Sequence, residues 1–246
     1  MGRMLGRRWA DAGCDVASLD PDSERGGMPV FSHEALEQAV PHVAAIVLCV
    51  PVGAMQSVLE SVCPLLSPRH ILMDITSVKC LPMQWMEAAF AGAVVGAHPL
   101  FGPEPKPDEN RVALVRGLRV SDAQMAEAER LFQAIDCATF RCTAQEHDRA
   151  AALVQSLNFA ASAAYFATLA GHPGISDFAT PALRRYAEAA RKLLTSDAAM
   201  FSEFSLANPY FEESVREYAE QVCRTGTKQL SALADQAAIW YARTLS

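Results

Sequence analysis

From Asp15 to Cys142 the chain alternates short apolar runs with amphipathic stretches. The runs DVASL (15–19), AAIVLCV (44–50), HILMDI (70–75), AVVGA (93–97), VALV (112–115) and ATFRC (138–142) predict strands. Apolar residues at helical spacing predict helices over 33–40, 53–66, 81–91 and 122–135. Strands and helices in alternation are the mark of a mainly parallel sheet with crossover helices. AAIVLCV is apolar at every position, as expected of a strand buried on both faces.

After Thr143 the pattern changes. Residues 145–170 are rich in Ala and Leu, with charge confined to the first turn, which predicts a long helix buried on most sides. The stretches 180–195, 197–206, 209–224 and 226–244 keep helical periodicity, and no strand pattern returns. These patterns predict an α/β fold: a Rossmann-like, mainly parallel domain over 1–143, then an all-helical domain over 144–246. So much Ala, which lets helices approach closely, suggests partner helices from a second copy and hence a homodimer. A self-contained bundle would show the same pattern.

The opening MGRMLGRRWADAGCDVASLD adds a functional expectation. Leu5, Trp9 and Ala12 share one helical face, Gly13 suits a helix end, and the DVASL run ends at Asp20. Helix, turn, strand and acidic residue form the second half of a dinucleotide-binding βαβ unit, and its first half, a strand and a glycine-rich turn, is expected before Met1. Gly2 stands where the last glycine of that turn would let helix and sheet pack closely. Asp20 could bond both ribose hydroxyls, which favours NAD over NADP, although an Asp after a strand is also a common turn residue. Val50 and Pro51 close AAIVLCV at the sheet edge where ligands sit in open α/β folds.

Composition narrows the function. A net charge of −7 argues against a nucleic-acid partner and means that an anionic substrate would need a local basic pocket. The longest apolar run, AAIVLCVPVGAM, is broken by Pro51 and Gly53 and falls short of a membrane span, and no signal peptide is evident. The seven cysteines include no CxxC pair, which reads as buried thiols in a reducing cytoplasm. The six histidines lack ligand spacing, so no metal site is expected.

Two further motifs fall at strand ends. DITSVK (74–79) offers the Ser77 hydroxyl and the Lys79 cation, and GAHPLFGPE (96–104) delivers His98 ahead of a loop rich in Pro and Gly. Each alone could be an ordinary turn or a structural histidine. Three successive strand ends carrying ligand-type groups on one sheet edge make a candidate site.

Together GAHPLFGPE and DITSVK resemble the prephenate dehydrogenase family, the NAD-dependent enzymes of tyrosine biosynthesis. Met1-Gly2-Arg3 is similar to the end of that family's glycine-rich turn. EHDRAAALVQSLNFA (146–160) is similar to the start of its helical domain, and TPALRRYAEAARKLLTSDAAMFSEF (180–204) to its substrate-binding helices. The resemblance implies that hydride leaves C4 of prephenate for NAD while His98 accepts the hydroxyl proton, and that loss of carbon dioxide makes the ring aromatic. It further implies that Ser77 fixes the geometry, Lys79 pairs with a substrate carboxylate, and Gln155 lines the pocket. Of the family's two arginines eight residues apart, Arg184 matches the first, whereas Lys192 stands at the second and gives up the bidentate fit. Arogenate or an amino-substituted prephenate fits the same residues, and a cofactor-impaired ligand-binding or interaction protein is the rival reading.

Overall fold

A computed structural model describes residues 1–20, 33–103, 105–223 and 227–244. Glu104 of GAHPLFGPE and the helix-end residues 224 and 226 lie outside the described residues. Among those described, five strands form one sheet in sequence order: β1 (Ala45–Leu48), β2 (Ile71–Asp74), β3 (Ala93–Pro99), β4 (Arg111–Arg116) and β5 (Ala138–Cys142). The pairs β1/β2, β2/β3 and β4/β5 are parallel, whereas β3/β4 is antiparallel. In register, Leu48, Asp74 and Gly96 align across the first three strands, so His98 projects two residues beyond that line.

Side-chain alternation along each strand feeds two apolar layers. On one face Ile71, Met73, Val95 and Leu114 pack against Leu5 and Trp9 of α1 (Gly2–Asp11) and against Met125 and Phe132 of α5 (Asp122–Gln133). The Trp9 indole N–H donates to the Leu131 carbonyl at 2.7 Å, and its ring meets Phe132 edge-on at 5.6 Å, joining the two helices. On the other face Leu72, Val94 and Val115 pack against α3 (Met55–Val62) and α4 (Cys80–Ala89). A short helix, α2 (His33–Ala39), precedes β1. Ser121 caps α5 in a capping box with Gln124.

Two expectations fail on the α1 side of the sheet. DVASL forms no strand, and only Asp20, just after it, makes a strand-type bridge. β1 is mostly half-buried rather than enclosed on both faces. Both have one cause. A cavity of about 450 Å³ lies between Cys14–Ser18 and the outer edge of β1, lined also by Gly2, Gly6 and Trp9 of α1 and by Glu127 and Leu131 of α5. A strand exists by pairing its backbone with a neighbour. Across this slot neither segment finds one among the described residues.

Beyond β5, α6 (Ala144–Ala151), one π-helical turn (Ala152–Ser156) and α7 (Leu157–Ala170) run as one helix of 27 residues. Then follow α8 (Pro181–Leu194), α9 (Ala198–Ala207), α10 (Phe211–Cys223) and α11 (Thr227–Thr244). The long helix departs from expectation twice. Its mean hydropathy of 1.2 and its length would let it cross a membrane, and only 22% of its apolar stretch is buried. Small and hydroxyl residues interrupt its apolar surface, so no unbroken apolar run marks it in sequence, and the described residues leave that surface largely uncovered. Leu153, Val154, Phe178, Leu206 and Trp240 are each more than half exposed. The cysteines also depart from expectation: all seven are free thiols, but only Cys137 is buried.

Candidate active site

The site grows from the ends of β2 and β3. Asp74 ends β2 fully buried, and the chain then turns back so that Lys79, five residues on, returns to it. Lys79 Nζ lies 2.5 Å from Asp74 Oδ2 and donates to the Ala97 carbonyl at 2.8 Å. The Thr76 N–H donates to the same Asp74 oxygen at 2.9 Å. Gly96 gives the lysine stem its room, because a Cβ there would stand 2.9 Å from Lys79 Cδ and 2.9 Å from Met83 Sδ. Burial pulls the lysine pKa below its ordinary value, against the pull of the Asp74 charge and hydrogen bond. The ion pair is therefore the floor of the site. The expected contact of Lys79 with a substrate carboxylate would compete with these bonds, because its fully buried ammonium is already committed to Asp74 and Ala97.

His98, on the same face of β3 as Val94 and Gly96, is 4% exposed. Its Nδ1 lies 2.8 Å from His147 Nε2, and His147 Nδ1 lies 2.7 Å from Asp148 Oδ1. Asp148 in turn accepts the backbone N–H groups of Lys79 at 2.7 Å and Cys80 at 2.8 Å, capping the start of α4. Burial opposes ionisation of Asp148, but the hydrogen bonds from His147, Cys80 and Lys79 outweigh it and hold the carboxyl below its ordinary pKa. Burial drives the His98 pKa well below 6.5, helped by the neighbouring His147 and Lys79. The imidazole is neutral at physiological pH. Asn208 Nδ2 donates to the Asp148 carbonyl at 2.8 Å, and Glu203 Oε1 accepts the Gly53 N–H at 2.8 Å, so the helical part is bonded to this edge of the sheet.

His147, Asp148 and Glu203 escaped the sequence reading. The first two open a helix, where charge is expected to face solvent. Their signal was spacing: His147 and Asp148 lie one turn before Ala151 and Ala152, which are buried.

The other expected residues divide. Ser77, half-buried, lies in the turn between Asp74 and Lys79, on the same sheet edge as His98. Gln155 falls in the π-helical turn, a feature common at functional sites, and its buried Oε1 and the neighbouring Ser156 Oγ have no hydrogen-bond partner. Arg184 and Lys192 are exposed on α8, where Arg184 donates to the Ala179 carbonyl and Lys192 lies 3.7 Å from Asp197. Among the described residues, neither makes a hydrogen bond or ion pair with His98.

A Cβ on Gly2 would stand 2.7 Å from Cys49 Cβ, so α1 meets the end of β1 as closely as a dinucleotide turn requires. The N-terminus of α1 offers the backbone N–H groups and dipole that suit a pyrophosphate. Val50 is half-buried and Pro51 exposed on the same edge. Asp74 Oδ1 is buried there without a hydrogen-bond partner. Asp20, expected on the ribose, accepts from Arg3 Nε at 3.2 Å and Nη2 at 2.9 Å. These residues fit NAD, with Asp20 drawn partly aside.

Comparison with known proteins finds prephenate and arogenate dehydrogenases among the similar chains. Residues 26–120 match the family model described as prephenate dehydrogenase, nucleotide-binding domain. The T-protein of Enterobacter agglomerans is 30% identical over 166 residues, which make up 67% of this chain and 41% of that protein. The chain thus spans less than half the length of the curated relatives it matches. Among solved structures, prephenate dehydrogenase from Aquifex aeolicus, crystallised with hydroxyphenyl propionate and NAD+, superposes with a TM-score of 0.75 at 16% identity, covering 100% of this chain and 92% of that one. Synechocystis arogenate dehydrogenase gives 0.70 at 19% identity, covering 98% and 91%. At such identities the superpositions speak for the fold.

Proposed function

The chain belongs to the prephenate dehydrogenase family through its nucleotide-binding domain, and from that premise we propose that it catalyses the NAD-dependent oxidative decarboxylation of prephenate to 4-hydroxyphenylpyruvate. The observation that carries this reading is His98, a neutral imidazole at the end of β3 with one ring nitrogen held by His147. Gly2, Asp20, Val50 and Pro51 would hold NAD, which would supply the hydride acceptor. The chain's own residues do the rest. His98 takes the C4 hydroxyl proton as the C4–H bond gives up its hydride, and Ser77 holds that hydroxyl in line. When the ring carboxylate leaves as carbon dioxide, its electron pair makes the ring aromatic and the oxygen recovers its proton.

Lys79 keeps a role in this scheme as the cation beneath the site rather than as a substrate contact. Gln155, with its unpartnered oxygen, lines the pocket. Residues 1–143 act as the cofactor domain and 144–246 as the substrate and dimerisation domain. The uncovered apolar face of the long helix, where Leu153 and Val154 are more than half exposed, would be covered by a second copy of this chain. A homodimer would also give Arg184 and Lys192 a neighbour. This reading places the protein in the cytoplasm.

Arogenate is the second substrate reading. Its side chain keeps the carboxylate of the pyruvyl group and carries an amine in place of the keto oxygen, so it would meet the same Lys192, which holds its charge but lacks arginine's bidentate fit. The expected result is NADH formation with prephenate or arogenate that falls by ~10²–10⁴ in His98→Asn, as loss of a general base does. Calorimetric titration with NAD+ addresses the rival, cofactor-free reading. Absence of heat at millimolar NAD+, together with absence of turnover, would sink the dehydrogenase.

A further inference from the structure

We propose that His147 and Asp148 are positioning residues for His98: they fix its tautomer, with the proton on Nδ1 and the lone pair on Nε2. The inference rests on the reading of His98 as base, and it follows from donor and acceptor counting along one chain of contacts.

Asp148 ends the chain and, as a carboxylate, can only accept. It accepts from two backbone N–H groups, Lys79 and Cys80, which hold both of its oxygens in place at the start of α4. Its 2.7 Å contact with His147 Nδ1 therefore requires a proton on that nitrogen. A neutral His147 then has a lone pair on Nε2. The 2.8 Å contact between His147 Nε2 and His98 Nδ1 requires the proton to sit on His98 Nδ1. A neutral His98 is left with its lone pair on Nε2, the ring nitrogen that His147 does not bond. The one other assignment is an imidazolium at His147, which would place a second buried cation in the cluster that already holds the Lys79 ammonium.

This order is what a base needs. In the opposite tautomer Nε2 would carry a proton and could not accept one from a substrate hydroxyl. When His98 does take the proton, its Nδ1–H still points at His147, whose own N–H points at the Asp148 charge. The imidazolium forms facing an aligned dipole and a carboxylate without any proton leaving His98 for Asp148. The same carboxylate joins α6 to α4, so the two imidazoles are held by the contact between the sheet domain and the helices.

The test uses the full chain with three substitutions. Gln in place of His147 offers a carbonyl oxygen to the His98 Nδ1–H and preserves the tautomer, whereas Leu offers nothing. Asp148→Asn can turn its amide toward His147 and reverse the chain. The expected kcat falls ~100-fold or more in His147→Leu with KM for prephenate within about threefold, and recovers at least tenfold in His147→Gln; in the Ser–His–Asp triads of hydrolases the Asp→Asn change, acting through the wrong tautomer, costs ~10⁴. A ¹⁵N-histidine spectrum, assigned with His98→Asn, reads the tautomer without turnover. It should show Nδ1 protonated and Nε2 bare in the wild type, and a mixture in His147→Leu. A wild-type spectrum with the proton on His98 Nε2, or a His147→Leu kcat within threefold of wild type, overturns the relay. The expected spectra from a wild type that turns over neither prephenate nor arogenate would uphold the tautomer assignment while removing the dehydrogenase reading.

Discussion

The two sides of the sheet's carboxyl edge differ in how completely the described residues build them. Toward β3, the cation and the imidazoles have partners from this chain, although Asp74 Oδ1 has none: Lys79 on Asp74 and Ala97, His98 on His147, His147 on Asp148, Asp148 on the start of α4. Toward α1, a 450 Å³ slot separates β1 from Cys14–Ser18, and β1 is only half-buried. The base and its supports depend on contacts between β2, β3, α4 and α6. The cofactor residues depend on how α1 is seated against β1. Mutations should therefore separate into those that damage the chemistry and those that damage the cofactor grip.

The largest separation is expected at the floor of the site. Lys79→Met leaves Asp74 buried without its partner, and breaking a buried ion pair from one side costs ~3–5 kcal/mol. Chemical denaturation should show that loss whether or not prephenate is present. If Lys79 instead binds a substrate carboxylate, stability would hold while KM for prephenate rises, and the comparison drawn here would fail on its better-built side.

Gly2→Val probes the other side with a smaller effect. Its Cβ would stand 2.7 Å from Cys49 Cβ, so α1 must move away from β1, at ~1–3 kcal/mol for overpacking. The slot should absorb much of the movement. NAD+ affinity is expected to fall at least tenfold by titration, while the ring-nitrogen signals of His98 and His147 stay unchanged. A matching disturbance of those signals would show that the two sides are coupled through the sheet.

How much of this was legible in sequence follows the same division. The apolar runs at 70–75, 93–97, 112–115 and 138–142 marked their strands, because each finds neighbours within the chain and its burial is written in its own residues. DVASL has equally good strand composition and forms none, because pairing belongs to two segments and composition describes one. His98 and Ser77 were visible as chemistry-bearing residues at strand ends, where loops carry function. The direction of Lys79 was not, since DITSVK does not reveal that its lysine folds back on its own aspartate. His147 and Asp148 were hidden by their place near the charged start of a helix. They face inward only because Asp148 caps another helix, a tertiary fact outside the reach of periodicity.

The smallest predicted effect is the sharpest probe of the cofactor side. Arg3 and Asp20 form a partly exposed ion pair at 2.9 Å, with side chains 43% and 31% exposed. Such pairs contribute ~0–1 kcal/mol, so Arg3→Ala should leave the melting temperature nearly unchanged. What it changes is the availability of Asp20. If that carboxylate receives the ribose hydroxyls, it must give up part of its contact with Arg3 when NAD+ binds, and removing the arginine should tighten NAD+ several-fold by titration. The 2′-phosphate of NADP+ would meet the Asp20 carboxylate without the Arg3 cation beside it, so discrimination between the two cofactors should widen. Equal affinities before and after the substitution would mean that Asp20 is a turn residue held by its arginine, and the cofactor site would have to be sought along the Gly2 and Pro51 edge alone.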